Sequence, residues 1–179
     1  VDDDGARLAY PRVEGGVSVE PLDDALTGLY NQERFLQLVR NFTAFDEGAN
    51  GLEKRIAKPH QYFAVTKAVG STVQAVESNG KAGVVWHTQG SGKSLTMVFL
   101  VRKMRTDAQL RRFKIIVITD RKDLQGQLSV TATLTGEVVE VAESANGVKA
   151  LAKRKGPGLI FATIQKYRTE EDVAEVTKG

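Results

Sequence analysis

The sequence predicts an α/β fold in which helices cover both faces of a parallel sheet. From Gly83 onward, short apolar segments of strand length alternate with longer amphipathic segments of helix length. Strands that are apolar along nearly their whole length are typical of parallel sheets, because both faces of such a sheet are buried. The hydrophobic content of 41% and the charged content of 26% are those of an ordinary globular chain.

The chain before this alternating part is expected to begin with a linker. Residues 1–30 contain an Asp-Asp-Asp run, a Gly-Gly pair and two prolines, which are features of loops and linkers. A helix is then predicted from Asn31 to about Ala44, because apolar residues recur there with the spacing of one helix face. These residues are Phe35, Leu36, Leu38, Val39 and Phe42.

A second helix is predicted between Pro59 and Asn79, after a glycine-containing loop at residues 48–51. Proline suits the first turn of a helix, and the pair Asn79-Gly80 is a good C-terminal stop. Residues 31–79 are therefore interpreted as a helical lead-in to the alternating part. The buried stripe predicted for this helix consists of Val65, Ala68, Val69, Thr72, Val73 and Val76.

The alternating part is expected to contain four parallel strands. Parallel strands need long connections, and each pair of apolar segments here is separated by a segment that can form a helix. The predicted strands are Gly83–His87, Lys114–Thr119, Glu137–Val141 and Gly158–Ala162. The predicted helices are Gly92–Arg105, about Arg121–Ser129, and Ser144–Lys155.

Charge and residue types limit what the chain can do. Of the net charge of +3, residues 1–50 carry −6 and residues 51–179 carry +9. The basic part favours a polyanion such as nucleic acid or nucleotide phosphates, although a solvated lysine-rich surface explains it equally well. A cysteine-free sequence excludes thiolate sites, and His60 and His87 are too few for a histidine metal cage. The longest apolar run, Met97–Val101, is far shorter than the ~20 residues of a membrane span.

The strongest local signal is a glycine-rich segment between a predicted strand and a predicted helix. The sequence His87-Thr88-Gln89-Gly90-Ser91-Gly92-Lys93-Ser94 matches the phosphate-binding loop pattern except at its first position, where His87 replaces glycine. Gly90 and Gly92 would let the backbone curl so that several N–H groups point at phosphate oxygens. Lys93 can then reach the β- and γ-phosphates, and the Ser94 hydroxyl can bind Mg²⁺. The sequence therefore predicts a nucleotide site here.

An acidic residue after the next strand is compatible with two roles. Asp120 follows the predicted strand Lys114–Thr119, where a Mg²⁺-positioning aspartate lies in some families that share such a loop. However, Arg121 and Lys122 follow it directly, and a side chain that caps the next helix explains Asp120 equally well. The residues alone leave both roles open.

Four motifs in a fixed order extend the pattern well beyond the loop. They are the upstream segment 56–65, the loop segment 87–97, the segment 117–128 with Thr-Asp-Arg-Lys-Asp-Leu, and the downstream segment 161–167. Together they resemble the motor (R) subunit of type I restriction endonucleases, a translocase of helicase superfamily 2. The resemblance covers residues 30–168 and is far more specific than the loop alone.

The resemblance implies a RecA-like ATPase lobe that uses ATP and Mg²⁺. Lys93 would be the catalytic residue and Ser94 the metal ligand, within a cofactor site formed by residues 88–94. By the same resemblance, Gln61 would read the adenine edge with its amide; a polar residue in the first turn of a helix is the alternative.

The resemblance also implies partners. Arg121 and Lys122 would contact the DNA backbone, and Thr163 would donate its hydroxyl to a phosphate; a solvated loop and an ordinary strand-end threonine are the alternatives. The intact subunit would translocate on double-stranded DNA and cleave it, together with methyltransferase (modification) and specificity subunits. It would act in the bacterial cytoplasm, and a membrane would not be among its partners.

Residues 80–179 would then be an incomplete first lobe. The acidic Asp-Glu motif expected on a further strand is not found, because Glu170-Glu171-Asp172 has no apolar strand before it. We expect such a fragment neither to hydrolyse ATP nor to cut DNA on its own. Two other functions stay open: a small phosphotransferase or GTPase-like switch that uses Asp120 for Mg²⁺, and a non-enzymatic nucleotide-binding scaffold.

Overall fold

The computed structural model describes residues 28, 30–48, 51–119, 134, 136–142 and 144–163. The predicted helix Arg121–Ser129 lies outside the described residues, as does almost all of the predicted linker. In chain order the elements are α1 (Gln32–Asn41), β1 (Thr43–Gly48), β2 (Gly51–Ile56), α2 (Pro59–Val76), α3 (Lys93–Thr106), β3 (Lys114–Thr119), β4 (Val139–Val141), α4 (Ala145–Ala152) and β5 (Gly158–Thr163).

Helix α1 begins as predicted but ends earlier than its apolar spacing indicated. The Asn31 side chain accepts a hydrogen bond from the Arg34 N–H at 3.2 Å, which satisfies a first-turn donor. The chain leaves the helix at Phe42 and continues directly into β1. The predicted apolar stripe is divided as a result: Leu38 and Phe42 are buried, whereas Phe35, Leu36 and Val39 are exposed.

The segment between the first two helices is an antiparallel hairpin rather than only a loop. Strands β1 and β2 pair from Thr43 opposite Ile56 to Gly48 opposite Gly51. Gly51 has φ +103°, a backbone conformation that residues with a Cβ rarely adopt. The lead-in is therefore not purely helical.

An aromatic cluster holds the lead-in against the alternating part. The ring of Phe42 lies 4.8 Å from that of Tyr62 on α2 and 5.9 Å from that of Phe99 on α3, measured between ring centres. Phe42 and Phe99 are fully buried, and Val65 and Val69 of α2 are buried in the same core. Residues before and after position 80 therefore share one hydrophobic core.

The parallel sheet and its two covered faces are confirmed. The strand order is β3-β5-β4, and β5 pairs in parallel with both neighbours. On one face Leu159 and Phe161 pack with Val101 of α3, and on the other Ile160 and Ala162 pack with Val148 of α4. Successive residues of β5 thus point to opposite faces, which explains why this strand is apolar at every position.

One predicted strand is wrong within the described residues. Residues 83–87 adopt no strand, and the side chains of Val84 and Trp86 are 91% and 88% exposed. Val85 and His87 line a cavity of about 230 Å³ together with residues of α2 and α3. The physical reason is that an apolar segment becomes a strand only when a neighbouring strand supplies hydrogen bonds. In neither of the two described sheets does a strand pair with residues 83–87.

Two arginines hold the far end of α3, and one of them, Arg105, connects it to the sheet. Arg105 forms an ion pair with Glu137 and donates hydrogen bonds to the carbonyls of Phe113 at 2.6 Å and Gly158 at 3.2 Å. Arg102 donates to main-chain carbonyls, and its burial lowers the pKa of its guanidinium group.

None of the described helices is long and apolar enough to cross a bilayer.

Candidate nucleotide site

The loop between residues 87 and 94, called here the phosphate loop, has the backbone curvature that its glycines predicted. Gly90 has φ +78° and Gly92 has φ +82°, both in the left-handed region that glycine adopts without steric cost. Gly92 is also the N-cap residue of α3. The two glycines therefore turn the chain twice immediately before a helix begins.

The amino end of α3 has the features of an anion-binding site. Lys93 is the first residue of this 14-residue helix and is exposed, and Ser94 follows it half-buried. Among the described residues no side chain caps the helix, so its first-turn N–H groups keep their capacity to donate. These donors, the positive end of the helix dipole and the Lys93 ammonium group can act together on phosphate oxygens.

Internal hydrogen bonds fix the shape of the phosphate loop. The Ser91 hydroxyl donates to the Thr88 carbonyl at 2.8 Å, and the Thr96 hydroxyl and N–H both donate to the Gly92 carbonyl. Thr88 and Gln89 are both exposed in the loop. The structure thus brings together the predicted residues 88–94 in one turn with a defined conformation.

Gln61 lies directly against this loop. Its Oε1 accepts a hydrogen bond from the Lys58 N–H at 2.8 Å, and its Nε2 donates to the Gly92 carbonyl at 3.1 Å. The side chain is almost completely buried. Each amide atom can form one more hydrogen bond, but very little surface is left for an adenine base to reach it. In this structure the Gln61 side chain therefore serves to connect α2 to the loop.

His60, the residue before Gln61, also reaches the loop and was not assigned a role from the sequence. Its Nε2 lies 3.1 Å from the Ser91 carbonyl oxygen, and its ring packs edge-on against His87 with centres 5.4 Å apart. The contact spans 31 residues of sequence. No local sequence pattern indicates this pairing of the two histidines.

Of the residues predicted to contact DNA, the structure describes only Thr163. Asp120, Arg121 and Lys122 lie outside the described residues. Thr163 ends β5 and is fully buried, and its hydroxyl forms no hydrogen bond with another described residue. Thr163 has no exposed surface in this arrangement, and its contact with a DNA phosphate stays a prediction.

Comparison with known proteins places these features in a family. The profile of the SWI2/SNF2 ATPase family matches residues 60–178, which include His60, Gln61 and the whole phosphate loop. The match covers more than half of the chain. A parallel sheet with helices on both faces is consistent with a RecA-like ATPase domain.

Individual relatives agree with the resemblance found in the motifs. The type I restriction enzyme HindI endonuclease subunit of Haemophilus influenzae is 37% identical over 161 residues, which are 86% of this chain and 15% of the relative. The type I restriction enzyme SauCOLORF180P endonuclease subunit of Staphylococcus aureus is 32% identical over 111 residues, 61% of this chain and 11% of the relative. The chain thus spans about 15% of the length of HindI. Similarity to type I restriction endonuclease subunits is confirmed, and the chain belongs to the SWI2/SNF2 ATPase family.

Proposed function

We propose that this chain is the nucleotide-binding part of a motor subunit of a type I restriction endonuclease, which couples ATP hydrolysis to movement on double-stranded DNA and to its cleavage. The observation that carries the proposal is the phosphate loop, in which Gly90 and Gly92 have positive φ and Lys93 opens α3. The endonuclease-subunit relatives support the choice among families that use such loops.

Each part of the loop has a separate role in this proposal. The first-turn N–H groups of α3 would bind the phosphate chain, and Lys93 would stabilise the charge on the β- and γ-phosphates. The Ser94 hydroxyl would bind Mg²⁺, which when bound neutralises phosphate charge during hydrolysis. Thr88 and Gln89, both exposed, would complete the nucleotide site.

The partners are part of the same proposal. Arg121 and Lys122 would contact the DNA backbone, where basic side chains provide affinity without reading sequence. Sequence recognition would then come from the specificity subunit, and the methyltransferase subunits would complete the complex. An enzyme of this kind acts on DNA inside the cell, so we place it in the bacterial cytoplasm.

The test is Lys93→Ala in the full-length protein, assembled with its partner subunits. We expect this variant to lose DNA-dependent ATP hydrolysis, translocation and cleavage while its thermal unfolding stays unchanged, because Lys93 is exposed. Lys81→Ala is the matched control, since Lys81 is an exposed cation outside the phosphate loop. DNA-dependent ATP hydrolysis that survives in Lys93→Ala would contradict the proposal.

A further inference from the structure

Two consecutive side chains of α2 contact two consecutive carbonyl groups of the phosphate loop. His60 lies 3.1 Å from the Ser91 oxygen, and Gln61 lies 3.1 Å from the Gly92 oxygen. A carbonyl oxygen can only accept a hydrogen bond, so the hydrogen of the His60 contact must be on Nε2. The first turn of α2 therefore supplies two donors to the loop, side by side.

These contacts determine where the N–H groups of the loop point. A trans peptide group is planar, and its N–H points away from its C=O. Holding the Ser91 carbonyl toward His60 thus directs the Gly92 N–H to the opposite side of the loop. The same argument applies to the Gly92 carbonyl and the Lys93 N–H. Two successive donors are thereby aimed away from α2.

The two contacts differ in how much else supports them. The Gly92 carbonyl also accepts hydrogen bonds from the Thr96 N–H and hydroxyl, so the start of α3 already fixes it. The only described partner of the Ser91 carbonyl is His60. The ring of His60 is in turn oriented by its edge-on contact with His87, at the position where the loop pattern has glycine. Among the described residues, His60 is thus the side chain that holds the 91–92 peptide through the Ser91 carbonyl.

We propose that His60 is a positioning residue of the nucleotide site, which holds the 91–92 peptide so that the Gly92 N–H faces the phosphates. This inference rests on the proposed function, because it assigns His60 a role in binding Mg-ATP. His60 does not touch the nucleotide in this role. It acts through Ser91, and His87 keeps its ring in place.

The experiment compares three substitutions of His60 in the full-length protein with its partner subunits. His60→Ala removes both contacts, His60→Phe keeps an aromatic ring against His87 without a donor, and His60→Gln places an amide donor at a similar reach. A hydrogen bond contributes modestly, so we expect His60→Ala and His60→Phe to raise KM for Mg-ATP roughly three- to tenfold. At saturating Mg-ATP, kcat should change less than twofold, and His60→Gln should restore KM.

Several outcomes would overturn the inference. A wild-type KM in His60→Phe would mean that the donor is not used, and failure of His60→Gln to lower KM would mean the same. Thr66→Ala is the matched control, since Thr66 is exposed on the same helix and should leave KM unchanged. If the unsubstituted protein does not bind Mg-ATP, the proposed function fails as well. If it binds Mg-ATP normally while all three variants match it, only the role of His60 fails.

Discussion

Gly92 lies so close to Gln61 that a Cβ atom added at Gly92 would be 2.8 Å from Gln61 Nε2. Real Cβ atoms essentially never approach another heavy atom so closely. Gly92 also has a positive φ, which disfavours every other residue type. Glycine is therefore required here both by the backbone and by the neighbouring helix, and the two requirements can be separated by mutation.

Gly90 provides the comparison, because it has a similar positive φ but no atom within 4 Å of an added Cβ. We expect Gly90→Ala to weaken Mg-ATP binding by roughly tenfold, since a left-handed conformation costs about 1–2 kcal/mol for a residue with a Cβ. Gly92→Ala should weaken binding further, because Gln61 must also move. Isothermal titration calorimetry of both variants measures this order, and equal affinities would contradict it.

Replacement of Gln61 by glutamate tests the contact from the other side. Gln61→Glu keeps the size of the side chain and the acceptor for the Lys58 N–H, but it places an oxygen against the Gly92 carbonyl. We expect the free energy of unfolding to fall by about 1–3 kcal/mol, because the new buried carboxylate oxygen would face the Gly92 carbonyl oxygen with no hydrogen between them. Urea denaturation measures the change. Gln74→Glu, at an exposed position of the same helix, should alter stability by less than about 0.5 kcal/mol, and a similar loss in both variants would refute the role of the contact.

Arg105 should contribute to stability far from the nucleotide site. Its guanidinium group bridges Glu137 and the carbonyls at the start of β3 and β5, with both groups of the ion pair mostly buried. We expect Arg105→Ala to lower the free energy of unfolding by about 2–3 kcal/mol, since hydrogen bonds to charged groups are the stronger ones. Arg105→Lys should restore little, because an ammonium group lacks the planar set of five donors. The exposed Arg111 is the control, and a loss in Arg111→Ala as large as that in Arg105→Ala would contradict this account.

The aromatic cluster should be the most sensitive part of the core. Phe99 is fully buried against Phe42, so Phe99→Ala should cost about 3–5 kcal/mol through lost burial and the cavity it leaves. Phe45 is 55% exposed on β1, and Phe45→Ala should cost less than about 1 kcal/mol. Thermal unfolding of the two variants compares them directly, and comparable losses would place the core elsewhere.

Much of the fold followed from local sequence patterns. Strand β3 was predicted with its observed bounds, and α3 differs from its prediction by one residue at each end. These elements carry strong local signals: an uninterrupted apolar run in one case, and a glycine-rich turn into an amphipathic helix in the other. The curvature at Gly90 and Gly92 was predictable for the same reason, since both positions need a residue without a Cβ.

The elements that depend on distant partners were not predictable in this way. The run Gly83–His87 is as apolar as β3, yet it forms no strand. Strand formation depends on hydrogen bonds to a neighbouring strand, which the apolar run itself does not determine. The hairpin β1–β2 was missed since its strands are mostly polar. The contacts of His60 and Gln61 with the loop join residues 31 positions apart, which no local period encodes.

Trp86 is the only tryptophan among the 179 residues, and it stands 88% exposed immediately before the phosphate loop. Because of this position, the intrinsic fluorescence of Trp86 can report on the surroundings of the loop. An indole surrounded by water emits at long wavelengths and is readily quenched by iodide, whereas a packed indole emits further to the blue and is protected. The emission of Trp86 therefore records, in real time and without a label, whether residues 83–87 gain a neighbour when nucleotide or another protein surface arrives.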